Sequence, residues 1–185
     1  MLVFFLLIAY FLLTFIWLAA FAVIASMAYG LITTRVPFVP VPRYVVEAVK
    51  TAMPLREGDV AYDLGSGDGR IVYGLAKAYP GARVIGVEKA PLPYLLSLIR
   101  SAFARRSNAK TLMKDFSKVS LTDATHVYMY LFPEVVEMLK PKFEREFKPG
   151  VTVVSCDFPF KTKEPVDKKV IQGKASKYTL YTYKF

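Results

Sequence analysis

Eight consecutive residues carry most of the chemistry that can be read from this chain: Asp63-Leu64-Gly65-Ser66-Gly67-Asp68-Gly69-Arg70. Glycines at alternate positions permit a tight turn and let a ligand approach the backbone. The stretch follows an apolar run at 60–64 and opens a helical pattern, so its far end offers the free N–H groups of a helix start. A dinucleotide fingerprint, G-x-G-x-x-G, would need glycine at 65, 67 and 70, but position 70 is Arg. The chain instead reads D-x-G-x-G-x-G, with an acid ahead of the loop that suits an ammonium and loop N–H groups that suit a carboxylate. Asp63 accepts from the ammonium, directly or through water, and loop N–H groups donate to the carboxylate. Glu88 stands 25 residues after Asp63, at the end of the next predicted strand. It suits the two hydroxyls of a ribose and would repel a 2′-phosphate. Asp115, after the third strand, is placed to accept from an adenine amino group, with Phe116 beside the ring. Capping a local turn is its other reading.

These residues need strand ends to hold them, and the pattern supplies strands. Apolar residues at 45, 46, 49, 52 and 53 have helical spacing. Strands are expected at 60–64, 83–88, 111–114, 125–131 and 151–156. Helices are expected at 70–79, 91–106 and 133–147, the last kinked or split by Pro141. Segments 166–171 and 178–184 read as a terminal hairpin turning near Gln172-Gly173-Lys174. Strands alternating with helices predict an α/β fold with a mostly parallel, doubly wound sheet whose last strands run antiparallel.

The chain has 185 residues, 25 basic and 15 acidic, for a net charge of +10. None of those charges lies in residues 1–34, of which 29 are apolar. Residues 2–25 are long enough as a helix to span a hydrocarbon core of about 30 Å. A cleaved signal peptide is the competing reading, but a positive n-region is missing and the apolar run is too long. Arg35, Arg43, Lys50 and Arg56 follow the segment and place the rest of the chain on the cytoplasmic side, with the N-terminus outside. The lack of an Arg-rich leader favours a prokaryotic plasma membrane over the mitochondrial inner membrane. The domain reading is therefore a transmembrane helix at 1–34, a proline-rich linker or lid at 35–42, and one globular domain at 43–185. A single Cys and a single His, far apart in sequence, exclude a Cys/His zinc site, and no metal is expected. Basic residues at 100–118 and 161–177 are interspersed with acids, which favours anionic lipid over nucleic acid.

The D-x-G-x-G-x-G loop matches the motif of S-adenosylmethionine-dependent methyltransferases. Further motifs narrow the likeness: Val36-Pro37-Phe38-Val39-Pro40-Val41-Pro42, Tyr130-Leu131-Phe132-Pro133-Glu134-Val135, and Ser155-Cys156-Asp157-Phe158-Pro159. In this order they resemble the protein lysine methyltransferases that include the mitochondrial enzymes acting on the ATP synthase c subunit and the adenine nucleotide translocase, with their small archaeal relatives. Val41 stands where relatives often have Thr, and Lys89-Ala90-Pro91 replaces a commoner Asp or Asn before the proline. The resemblance implies a seven-stranded Rossmann-like class I methyltransferase sheet, with S-adenosyl-L-methionine bound by Asp63, Gly65, Gly67, Gly69, Glu88 and Asp115. It also implies a protein substrate with a target lysine.

Open α/β sheets place their sites at the carboxyl ends of the strands. For an incoming lysine that means Tyr130, Phe132, Pro133, Phe158 and Pro159 as channel and Asp157 as the group that attracts the ammonium or takes its proton. Tyr130 would help position the lysine stem. Core packing is the alternative for the aromatics, and a surface loop for Asp157. The tether favours a membrane protein as substrate, and a quinone or lipid acceptor is the competing reading. Methylation of base amines fits less well, because Tyr130-Leu131-Phe132-Pro133 replaces the Asn/Asp-Pro-Pro-Tyr type motif used for it.

Overall fold

A computed structural model of the chain describes residues 1–34, 38–173 and 176–185. Arg35, Val36 and Pro37 of the expected linker, and Lys174 of the expected hairpin turn, lie outside the described residues.

The chain runs α1 (Leu2–Thr34), α2 (Arg43–Ala52), β1 (Val60–Leu64), α3 (Arg70–Ala78), β2 (Arg83–Glu88), α4 (Pro91–Ala104) and β3 (Ala109–Met113). It continues through β4 (His126–Met129), α5 (Pro133–Glu146), β5 (Thr152–Cys156), β6 (Asp167–Gln172) and β7 (Lys177–Lys184). The seven strands form one sheet in the order β3-β2-β1-β4-β5-β7-β6. β1 to β5 pair in parallel, and β7 inserts antiparallel between β5 and β6. The strand order reverses beside β1, between β2 and β4, and that reversal opens the crevice in which doubly wound sheets bind ligands.

Helices cover both faces, so all five residues of β1 are buried. Side chains alternate along the strand, and Ala61 joins a core with α2 and α3 through Val45, Val49, Ile71 and Leu75. Tyr62 and Leu64 join the opposite core, which α5 closes with Val136, Leu139 and Phe143. Neither core cluster contains a residue of α1, and the first core residue is Val41. Among the described residues, both cores are thus built from Val41 onward and draw nothing from α1. The stretch Leu2–Ala25 is apolar and long enough to cross a membrane, with no part of it buried against the protein.

Element boundaries differ from the sequence expectation in informative places. α5 is one helix despite Pro141, so no split occurs. β4 stops at Met129 rather than 131, because the chain must turn into α5, whose first residue is Pro133. Proline at N1 is preorganised for that start and forgoes an N–H that would be unpaired there anyway. Residues 130–132 are thereby left free of the sheet at its carboxyl edge. A short 3-10 turn, Phe116–Lys118, was not expected, and Asp115 caps it.

Candidate active site

The glycine loop leaves β1 at Leu64 and enters α3 at Arg70. Gly65, Gly67 and Gly69 all have positive φ, at 77°, 55° and 75°. Gly67 has the strictest requirement, since an added Cβ would lie 2.6 Å from the Phe38 ring. Phe38 belongs to the proline segment, and with Val39, Pro40 and Val41 it forms one wall of the site. Arg70 fixes that wall by donating from Nη1 to the Val41 carbonyl.

A second contact set stiffens the loop from below. Asp68 accepts from Arg70 through Nε at 2.9 Å and Nη2 at 2.8 Å, and from Nη2 of Arg100 on α4 at 2.6 Å. Burial opposes ionisation of Asp68, but the two guanidiniums outweigh it and hold the carboxyl below its usual value. Sequence reasoning missed this triad; the acid inside the loop was the only sign of it.

Asp63 and Glu88 close the floor. Asp63 is 2% exposed and Glu88 8%. Glu88 accepts from the N–H of Gly67 at 2.8 Å and of Ala90 at 2.7 Å, so strand β2 holds the loop through its last side chain. Burial nevertheless pushes its carboxyl up. Burial raises Asp63 well above the ordinary range, with the nearby Glu88 and Asp68 charges adding to it. Neither makes an ion pair among the described residues. Two buried carboxylates side by side without a cation are costly, and a positively charged ligand relieves that cost.

These groups border a cavity of about 240 Å³ at the sheet's switch point. Its other walls come from Phe38 and Val39, from Leu92 and Leu96 of α4, and from Tyr130, Phe132 and Phe158. The aromatic side is tightly built. Tyr130 stacks on Phe158 with centroids 6.0 Å apart, and Phe132 meets Phe158 edge-on at 5.9 Å.

The remaining expected residues stand outside that lining. Asp157 adopts a left-handed φ of 60° and accepts from the Thr179 N–H at 2.7 Å. It bears on the cavity wall through its charge: burial, and then the nearby Asp157 carboxylate, push the Tyr130 hydroxyl well up. Asp115 accepts from the Ser117 N–H at 3.0 Å and pairs with Lys89 at 3.1 Å, while its neighbour Phe116 lines the cavity. Pro133 begins α5 and Pro159 is exposed, both beyond the lining. Cys156 is fully buried, with its thiol pushed up to about 12, which suits packing and not nucleophilic chemistry. No group of three or more potential metal ligands occurs among the described residues.

Paired buried acids beneath a glycine loop, facing a crevice with apolar walls, ask for one ligand that is both cationic and hydroxylated. S-adenosylmethionine, with an ammonium, a sulfonium and a ribose, is such a ligand. The chain is thus an S-adenosylmethionine-dependent methyltransferase. Its residues 63–167 match the ANTKMT methyltransferase domain, and the chain belongs to that family. It is 35% identical over 155 residues to a protein-lysine N-methyltransferase of Saccharolobus islandicus, covering 80% of this chain and 93% of that one. Over 136 residues it is 38% identical to the adenine nucleotide translocase lysine N-methyltransferase of Mus musculus, covering 71% of this chain but only 57% of the relative. The chain therefore spans little more than half the length of that relative. Among solved structures, an RNA methyltransferase from Salinibacter ruber, in complex with S-adenosyl-L-homocysteine, superposes with a TM-score of 0.71 at 32% identity. That match covers 79% of this chain and 93% of the other.

Proposed function

We propose that this protein methylates the side-chain amine of lysine in a protein substrate, at a membrane to which α1 tethers it. The observation that carries the reading is the aromatic wall of Tyr130, Phe132 and Phe158 beside the buried acids. A lysine stem is apolar and slender, and such a wall accepts it while keeping water out.

S-adenosylmethionine supplies an electrophilic methyl group on a sulfonium. Asp63 would hold the ammonium end and Glu88 the ribose hydroxyls, while the N–H groups of Gly65, Ser66, Gly67, Gly69 and Arg70 are already bonded within the protein. Asp115 would serve the adenine amino group from the Oδ2 side, where it meets Lys89. The acceptor must arrive neutral, although a free lysine has a pKa of about 10.4. An apolar channel beside a positive sulfonium lowers that value, so the wall itself promotes loss of the proton. Tyr130, with its hydroxyl pushed up, stays protonated and orients the amine instead of acting as a base. Asp157 attracts the incoming ammonium through Tyr130. Alignment and exclusion of water then account for most of the rate.

Leu2–Ala25 is the proposed span, with the N-terminus outside and the methyltransferase domain in the cytoplasm of a prokaryotic cell. A tether raises the local concentration of the enzyme toward targets in the same bilayer. A quinone or lipid acceptor is the second reading, which the tether also favours. An RNA acceptor is the third, since the relative from Salinibacter ruber is named an RNA methyltransferase.

Incubation of the full chain with host membranes and methyl-radiolabelled S-adenosylmethionine separates the three. The proposal expects label in a protein band, placed on a lysine by mass spectrometry. Label confined to the lipid extract or to RNA would refute it.

A further inference from the structure

Helix α4 is inverted relative to the usual pattern of a globular protein. Its inner face holds Ser97, fully buried with its hydroxyl 2.7 Å from that of Thr111, and Arg100, which grips Asp68. Its outer face carries Leu95, Leu98, Ile99, Ala102 and Phe103, which fall on one side at 3.6 residues per turn. Leu95 is 53% exposed, Ile99 50% and Phe103 85%. A surface helix normally turns its apolar stripe inward and its charges out. Here the only charge on the helix, Arg100, lies off that face and reaches Asp68 in the glycine loop. A contiguous apolar face of this kind marks an interaction site.

We propose that the outer face of α4 docks into the interface of an anionic bilayer, as a second membrane contact separate from the span. Two observations choose lipid over a protein occupant. First, α4 is in contact with α1, so the helix sits beside the proposed span. Second, the segment that follows the apolar face is basic. Arg105, Arg106, Lys110, Lys114 and Lys118 lie within 14 residues, with Asp115 as the single acid. An apolar helix face bordered by basic side chains is the form that interfacial helices take, the apolar side reaching the acyl boundary and the cations meeting anionic headgroups. The exposed Met113 extends the apolar surface on the same side of the sheet's edge.

The docking deepens the tether reading and depends on it for the side of the membrane involved. It also has a consequence for catalysis. Leu92 and Leu96 of the same helix line the cofactor cavity, and Arg100 grips the glycine loop. A docked α4 therefore holds the cavity at a fixed height and tilt above the membrane, where a lysine emerging from a membrane protein can enter.

The test places an environment-sensitive fluorophore on the full chain at Phe103→Cys, with Met138→Cys on α5 as control, in vesicles containing phosphatidylglycerol and a lipid-borne quencher. Cys156 is buried and does not compete for the label. Quenching at 103 and none at 138 is expected; equal behaviour at both positions would overturn the proposal. Residues 38–185 alone should float with phosphatidylglycerol vesicles, and Leu95→Ser with Ile99→Ser and Phe103→Ser should weaken that partitioning by about tenfold or more. Unchanged methylation of a soluble peptide would show that this variant is folded. Failure of the truncated chain to float, or a dimer in sedimentation that the three substitutions dissociate, would contradict lipid as the occupant. Extraction of the full chain by alkaline carbonate would refute the span and leave the result on α4 standing.

Discussion

The two sides of the cavity are built on opposite principles. On the side of β1 and β2, carboxylates are buried, glycines take left-handed conformations, and backbone N–H groups point at side chains. On the side of β4 and β5, the wall is aromatic, and the Asp157 carboxylate acts on it through Tyr130 without lining the cavity. In the proposed function the first side holds a permanently charged ligand, which would offset the cost of its buried acids. The second must receive an amine that reacts only without its proton, and an uncompensated acid in that wall would stabilise the wrong form. The difference shows how one crevice can favour a cation at one end and a neutral amine a few ångströms away.

Several substitutions should separate the two sides. Asp63→Ala or Glu88→Ala should weaken cofactor binding by about 10- to 100-fold in calorimetry, the loss of one charged hydrogen bond of about 1.5–3 kcal/mol. Near-unchanged affinity in both would break the comparison. Tyr130→Ala and Phe158→Ala should leave cofactor affinity within about threefold and lower the rate constant of transfer by about tenfold or more, because alignment is lost and not binding. A matching loss of cofactor affinity would erase the division between the sides.

A pH series sharpens the first side. The folded pKa of Asp63 is raised, so the unfolded chain releases that proton more readily. Folding stability from this group is therefore present below the unfolded value and declines as pH rises through the folded one. Asp63→Asn should accordingly raise the thermal midpoint of the cofactor-free protein at neutral pH by about 2 °C or more, while losing cofactor affinity. A lower midpoint would mean that Asp63 serves the fold. The smallest effect is expected at Asp115. Its turn cap and its pairing with Lys89 persist partly in Asp115→Asn, and cofactor affinity should fall by about threefold or less.

The sequence made the first side legible and the second only in part. Residues 63–70 and Glu88 could be placed because glycine spacing and strand ends fix backbone geometry locally. All seven strands were expected within two residues of their observed limits, most closely β1 and β2, whose buried runs are continuously apolar up to their acids. Asp115 and Asp157 were harder: an acid at a strand end can face a ligand, cap a turn or anchor a neighbour, and only packing decides. The structure shows Asp115 capping Phe116–Lys118 and Asp157 bonded to Thr179. The triad of Asp68, Arg70 and Arg100 joins residues 32 apart in sequence across two helices, and no local pattern announces it. The inverted face of α4 was hidden for a related reason. Periodicity reports that a helix is amphipathic, not which of its faces points outward.

The central claim is a lysine methyltransferase held at its membrane substrates. The most direct measurement compares the full chain with residues 38–185, using mass spectrometry to follow methylation of the target lysine both in membranes and in a soluble peptide that contains it. The account predicts equal rates on the peptide and a loss of about tenfold or more in membranes for the shorter chain, with the remaining activity owed to α4. Equal loss on both substrates would make α1 part of the fold, and no loss in membranes would contradict the tether.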